Sequence, residues 1–196
     1  EITALELKGG NSFATTGLTT AGLNNTLKVK VMRTSESTDE QILLESAYGT
    51  IKAVQKDTGK VGISRELFDY SFNYTLPVGQ WVELEFRNTF EQISLYVNGT
   101  KVDTLGDGDK AGNNRPMKAT CMFPLAKIGS ETSAFTGMVA SVKLNDQEIL
   151  NYEADYSGVD VAIEAANALD ASQYEDFSGV VAAINAVVRG KDIREQ

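Results

Sequence analysis

Lys60-Val61-Gly62-Ile63-Ser64-Arg65, then Tyr70-Ser71-Phe72-Asn73-Tyr74-Thr75-Leu76-Pro77-Val78-Gly79-Gln80-Trp81, then Ile93-Ser94-Leu95-Tyr96-Val97-Asn98-Gly99 is the stretch that decides the fold. It reads as strand, loop, strand, Pro/Gly turn, strand and hairpin. Apolar and polar residues alternate between the turns, as in strands with one face in a core and the other in water. Asn98-Gly99 lies between Leu95-Tyr96-Val97 and Lys101-Val102-Asp103. It predicts a two-residue hairpin, because both residues tolerate positive φ.

The same period continues on both sides, over residues 1–153. Leu27, Val29 and Val31 alternate with Lys28 and Lys30, and Val82, Leu84 and Phe86 with Glu83 and Glu85. Met138, Ala140, Val142 and Leu144 alternate with Val139, Ser141 and Lys143. Turn signals such as Lys8-Gly9-Gly10-Asn11 and Asp57-Thr58-Gly59-Lys60 separate the runs. Many short strands without interleaved helices predict a mainly β chain, an antiparallel β-sandwich or jelly roll. Trp81, the one tryptophan and by type a candidate platform for a sugar, opens a strand directly after a turn, and a structural place is expected for it.

Over residues 154–196 the period becomes three and four. Val159, Ile163, Ala166 and Leu169 form one stripe, and Phe177, Val180, Ile184 and Val187 another. This predicts a short α-helical appendage of two helices. Such a pair has no closed core of its own. Either it docks on the sandwich or a third helix follows Gln196, and the second is the expectation.

Composition narrows the function classes. With 42% hydrophobic residues the 196-residue chain can bury a core. A net charge of −9 argues against nucleic acid as a partner, since phosphate binding needs clustered Lys and Arg. No apolar run approaches the roughly 18 residues of a spanning helix, so no membrane insertion is expected. The absence of histidine removes imidazole from base, nucleophile-activating and metal-ligand roles together. The lone Cys121 lies in an apolar run and reads as a buried thiol. The chain begins at Glu1, which suggests a piece of a longer polypeptide.

Several pieces in order carry a resemblance. Besides the opening stretch they are Gly9-Gly10-Asn11-Ser12-Phe13, Leu43-Leu44-Glu45-Ser46, Val54-Gln55-Lys56 and Phe123-Pro124-Leu125-Ala126-Lys127-Ile128-Gly129-Ser130. Together they resemble the laminin-G-like branch of the concanavalin A-like lectin/glucanase sandwiches, and the resemblance implies a buried Trp81. The nearest likeness is to C-terminal modules of family 20 hexosaminidase-like enzymes of Gram-positive bacteria. Asp155-Tyr156-Ser157-Gly158-Val159-Asp160 through Ala168-Leu169-Asp170-Ala171-Ser172-Gln173-Tyr174 is similar to the opening of a FIVAR module, a small three-helix bundle. The resemblance implies a secreted or cell-surface glycoside hydrolase as parent, acting on host or dietary glycans. It also implies a lectin-like module whose partners are a glycan and, in cis, the catalytic domain. The alternative is a structural module that packs against that domain and orients it.

Candidate sites follow from chemistry. Family 16 glucanases cleave with two glutamates and an aspartate on one strand face; here only Glu83-Leu84-Glu85 comes near, and it reads as a solvated strand surface. No catalytic residue is assigned. Sugar recognition needs an aromatic platform and a few polar anchors. Arg65 and Asp69 could bond hydroxyls, Tyr70 could stack on a ring, and Tyr48 is either a second exposed platform or a strand-end residue covering the sandwich rim. The row Tyr70, Phe72, Tyr74 could equally pack into the core. Asp107, Asp109 and Asn113 supply oxygen ligands in a Gly-rich loop, either an irregular calcium site or an ordinary turn. It is not an EF-hand, because Ala111 and Lys118 stand where ligands are needed.

Overall fold

Alternation along the strands builds two antiparallel sheets. The structure, a computed structural model, describes residues 2–65, 68–106, 122–150 and 157–188. The chain divides into two units, Glu1–Asn151 and Tyr152–Gln196. In the first, one sheet contains β1 (Leu5–Lys8), β4 (Thr26–Arg33), β9 (Trp81–Asn88), β10 (Ile93–Val97), β11 (Thr100–Leu105) and β14 (Thr136–Leu144). Their order is β1-β14-β4-β9-β10-β11, and β15 (Gln147–Glu148) adds to β14 as the seventh strand. The six-stranded sheet contains β2 (Ser12–Thr15), β5 (Gln41–Ser46), β6 (Gly49–Val54), β7 (Gly62–Arg65), β8 (Phe68–Ser71) and β13 (Lys127–Ser130), ordered β2-β13-β5-β6-β7-β8. β3 (Thr20–Ala21) pairs with β12 (Phe123–Pro124).

The core lies between the sheets. Leu27, Val29 and Val31 of β4 and Val82, Leu84 and Phe86 of β9 are buried, as the alternation predicts. Each such side chain contributes about 1.5–3 kcal/mol through burial. Phe72, just past β8, meets Phe86 with ring centroids 5.8 Å apart. The two rings tie one sheet to the other.

Asn98 and Gly99 turn the β10–β11 hairpin at φ 48° and 83°. The Asn98 side-chain oxygen also accepts the Glu83 N–H at 2.9 Å, which fixes the turn against β9.

Three expectations need correction. The β14 register shifts between Val139 and Ser141, leaving Ala140 as an extra residue. Such a bulge changes which side chains face inward, so Val139 and Val142 are both buried while Met138 is half-buried. Trp81 is only half-buried, opposite Met32 in register. Glu85 is not solvated: it is 6% exposed, 3.1 Å from Arg87 Nη2 and 4.0 Å from Lys28 Nζ. Cys121 lies outside the described residues.

The second unit contains α1 (Ser157–Asn167) and α2 (Ser178–Asn185), with one 3-10 turn at Ala171–Gln173 between them. The Asp170 carboxylate accepts the Ser172 N–H at 3.0 Å and caps that turn. Val159, Ile163 and Ala166 face Val180, Ile184 and Val187 across an apolar hollow. Leu169 falls beyond the end of α1 and is exposed. Among the described residues of this unit none is fully buried.

Candidate functional site

Register lays two rows of side chains on opposite faces of the six-stranded sheet. Ile128 of β13 pairs with Leu44 of β5, Leu44 with Ile51 of β6, Ile51 with Ile63 of β7, and Ile63 with Tyr70 of β8. All five are buried. One residue along, Lys127 pairs with Glu45, Glu45 with Thr50, Thr50 with Ser64, and Ser64 with Asp69. Side chains alternate between faces, so this second row points away from the core. Five residues distant in sequence become one polar strip.

Tyr48 stands beside the middle of the strip, between Glu45 and Thr50 in the chain. Ala47 and Tyr48 make the two-residue turn between β5 and β6, and Tyr48 is 70% exposed. Ser46 anchors the turn. Its hydroxyl donates to the Thr19 carbonyl and accepts the Ala126 N–H at 3.0 Å.

Two hollows meet at Tyr48. The larger, about 340 Å³, lies on the outer face and is lined by Glu40, Glu45, Thr50, Lys52, Ser64 and Asp69. The smaller, about 150 Å³, is bounded by Arg65, Met122, Phe123 and Pro124 together with Ile51 and Ile63. One is polar and the other mostly apolar.

Lys52 organises the polar hollow. It is 6% exposed, with Nζ 2.7 Å from Glu40 Oε2 and 3.2 Å from Asp69 Oδ1. The Ser64 hydroxyl also donates to Asp69. Burial acts to raise the Asp69 pKa, but the Ser64 hydrogen bond and the Lys52 charge outweigh it and hold the carboxyl below its ordinary value. Asp69 is therefore a standing acceptor at neutral pH. Thr50 Oγ1, in the same wall, is buried and makes no hydrogen bond among the described residues.

The candidates read from sequence divide between these places. Tyr48 stands at the junction of the hollows. Asp69 lines the polar one, whereas Arg65 faces the apolar one, with Nη1 3.6 Å from Met122 Sδ. Tyr70 is corrected: it is 1% exposed, in the core row opposite Ile63, and its ring is not available for stacking. Phe72 is in the core as well, and Tyr74 is half-buried with its phenol pKa raised by burial. Asp107, Asp109 and Asn113 lie outside the described residues. Among the described residues, no three carboxylate or thiol side chains gather as a metal-binding group.

Glu40, Thr50, Lys52 and Ser64 escaped the sequence reading. Period two does put Thr50 and Lys52 on the face opposite Ile51. Which strands flank them is a matter of register, and no local pattern states it.

Stacked antiparallel sheets of this kind define the class: a mainly β chain built as an antiparallel, lectin-like β-sandwich, with a short C-terminal helical part. No family model matches the chain, and no curated protein matches it. Among solved structures it is similar to Domain 4 of AbnA, a GH43 extracellular arabinanase from Geobacillus stearothermophilus, in complex with arabinotriose. The TM-score is 0.50 at 15% identity, over 75% of this chain and 72% of that one. The CBM40 of the Ruminococcus gnavus IT-sialidase, bound to α2,3-sialyllactose, gives a TM-score of 0.49 at 15% identity, over 76% of this chain and 91% of that one. At these identities the likeness concerns the fold.

Proposed function

We propose that the sandwich is a non-catalytic carbohydrate-binding module, with Tyr48 and the polar hollow beside it as the glycan site. The observation that carries this reading is an exposed aromatic ring lining the same hollow as a strip of hydrogen-bonding side chains. A ring offers a platform to the C–H face of a pyranose, while carboxylates and hydroxyls receive its O–H groups. Domain 4 of AbnA, which shares the fold, was solved with arabinotriose, and this accords with the reading.

Hydrolysis is a poor fit to the same hollow. A glycosidase acid needs a carboxyl whose pKa is raised so that it holds a proton at neutral pH. Asp69 is shifted the other way, Glu40 is ion-paired with Lys52, and Glu45, the third carboxylate, accepts the Glu131 N–H. On this reading the module serves a longer secreted or cell-surface protein, a glycoside hydrolase of the family 20 type. The sandwich then spans residues 1–153 and the helical segment 154–196 opens a FIVAR-like module. Tethering would raise the enzyme's effective concentration at its substrate without any tight single contact. The sequence resemblance supports the parent and the helical assignment.

An NMR titration of the labelled chain with a broad panel of oligosaccharides tests it. Amide shifts are expected at Tyr48, Thr50, Ser64 and Asp69. No shift with any sugar at millimolar concentration would abandon the reading for the structural one. In that case, deleting the sandwich should destabilise the parent enzyme even on small soluble substrates.

A further inference from the structure

The polar hollow holds three carboxylates, Glu40, Glu45 and Asp69, against the single ammonium of Lys52. From this imbalance and the way Lys52 is held, we infer that the site takes neutral glycans and discriminates against those bearing carboxylate or sulfate groups. The inference rests on the glycan-binding reading above and narrows its ligand class.

Lys52 is not placed to receive an anion. Its Nζ is engaged by Glu40 and Asp69 on two sides, and its stem is enclosed. An anionic ligand would have to compete with two carboxylates already within hydrogen-bond distance. Among the described residues, neither Arg65 nor Lys127 lines the polar hollow. Arg65 lines the apolar hollow, and Lys127 Nζ lies 3.3 Å from Glu131 Oε1. Glu45 accepts the Glu131 N–H at 3.1 Å, so its carboxylate is held at the edge of the strip.

The same groups suit a neutral sugar. Pyranose hydroxyls are donors, and ionised carboxylates are the strongest acceptors a side chain offers. The depressed Asp69 pKa keeps that acceptor ionised at neutral pH. The net charge of −9 adds a repulsive field that acts on any approaching anion at low salt.

The experiment uses the full chain and matched sugars. Neutral gluco-, galacto- and manno-oligosaccharides, with the best neutral binder of the broad panel, are titrated beside counterparts in which the C6 hydroxymethyl is oxidised to a carboxylate. The carboxylate member of a pair is expected to bind at least about fivefold more weakly at low salt, with the gap closing as salt rises. Glu45→Gln, which removes a charge and keeps the shape, should also narrow the gap. Equal or tighter binding of the carboxylate member overturns the inference and leaves the glycan reading standing. If no sugar of either kind shifts the Tyr48, Thr50, Ser64 or Asp69 amides, both fall together.

Discussion

Lys52 Nζ lies 3.2 Å from Asp69 Oδ1, although β7 separates the strands that carry the two residues. The residue opposite Lys52 on β7 is Gly62, which has no side chain. Lys52 and Asp69 are 17 residues apart in sequence, and only the pairing of β6, β7 and β8 brings them together.

Replacing Lys52 by Met should lower stability at neutral pH by about 1 kcal/mol, because Glu40 and Asp69, themselves partly exposed and screened by solvent, lose their shared buried partner. The effect depends on pH in a defined sense. Asp69 titrates below its ordinary value of 3.8 in the folded chain, so its contribution is complete above that value. It is lost as pH falls through the lower, folded value. Denaturant unfolding of wild type and Lys52→Met should therefore diverge at pH 7 and converge in strong acid.

Tyr48→Ala separates binding from folding. The ring is 70% exposed, so the melting curve should stay within about 0.5 kcal/mol of wild type. Glycan affinity, read by calorimetry or NMR titration, should fall about tenfold or more. Tyr70→Ala should do the reverse of a selective lesion: it opens the core row and costs about 3–5 kcal/mol of stability.

Phe72 and Phe86 join the two sheets through their rings. Truncating each to Leu, singly and together, should reveal a coupling of about 0.5–1.5 kcal/mol in a double-mutant cycle. Additive effects would mean that the rings act only by filling volume.

Gly129→Ala tests the closeness of β2 and β13. Gly129 has φ 95°, and an added Cβ would lie 2.2 Å from the Ser12 carbonyl oxygen. Backbone must move to admit it. A loss of about 2 kcal/mol or more is expected in thermal or denaturant unfolding.

Much of the fold is legible in local patterns. Leu27, Val29 and Val31 declare a strand with a buried face, and Asn98-Gly99 declares its hairpin through the backbone angles those residues tolerate. The switch to a three-and-four period announces the helical segment. The bulge at Ala140 was not legible, because it depends on how β14 meets β4 rather than on β14 itself. Nor was the burial of Glu85, whose cover comes from neighbouring strands. In sequence Tyr48 admits two readings, exposed platform or rim cover, and the turn that exposes it comes with the pairing of β5 and β6. Arg65 and Asp69, candidates of one cluster, face different hollows.

What the chain determined by itself is periodicity: which residues share a face, where the backbone turns, and that no histidine takes part in chemistry. Those follow from covalent geometry and side-chain type, which act over a few residues. Tertiary structure alone decided which face is the core, that Tyr70 lies in it, and that Glu40, Lys52, Ser64 and Asp69 converge beside Tyr48. The physical reason is that strand register is fixed by the burial of whole rows across the sheet, and a shift of one residue would exchange every inward side chain for an outward one.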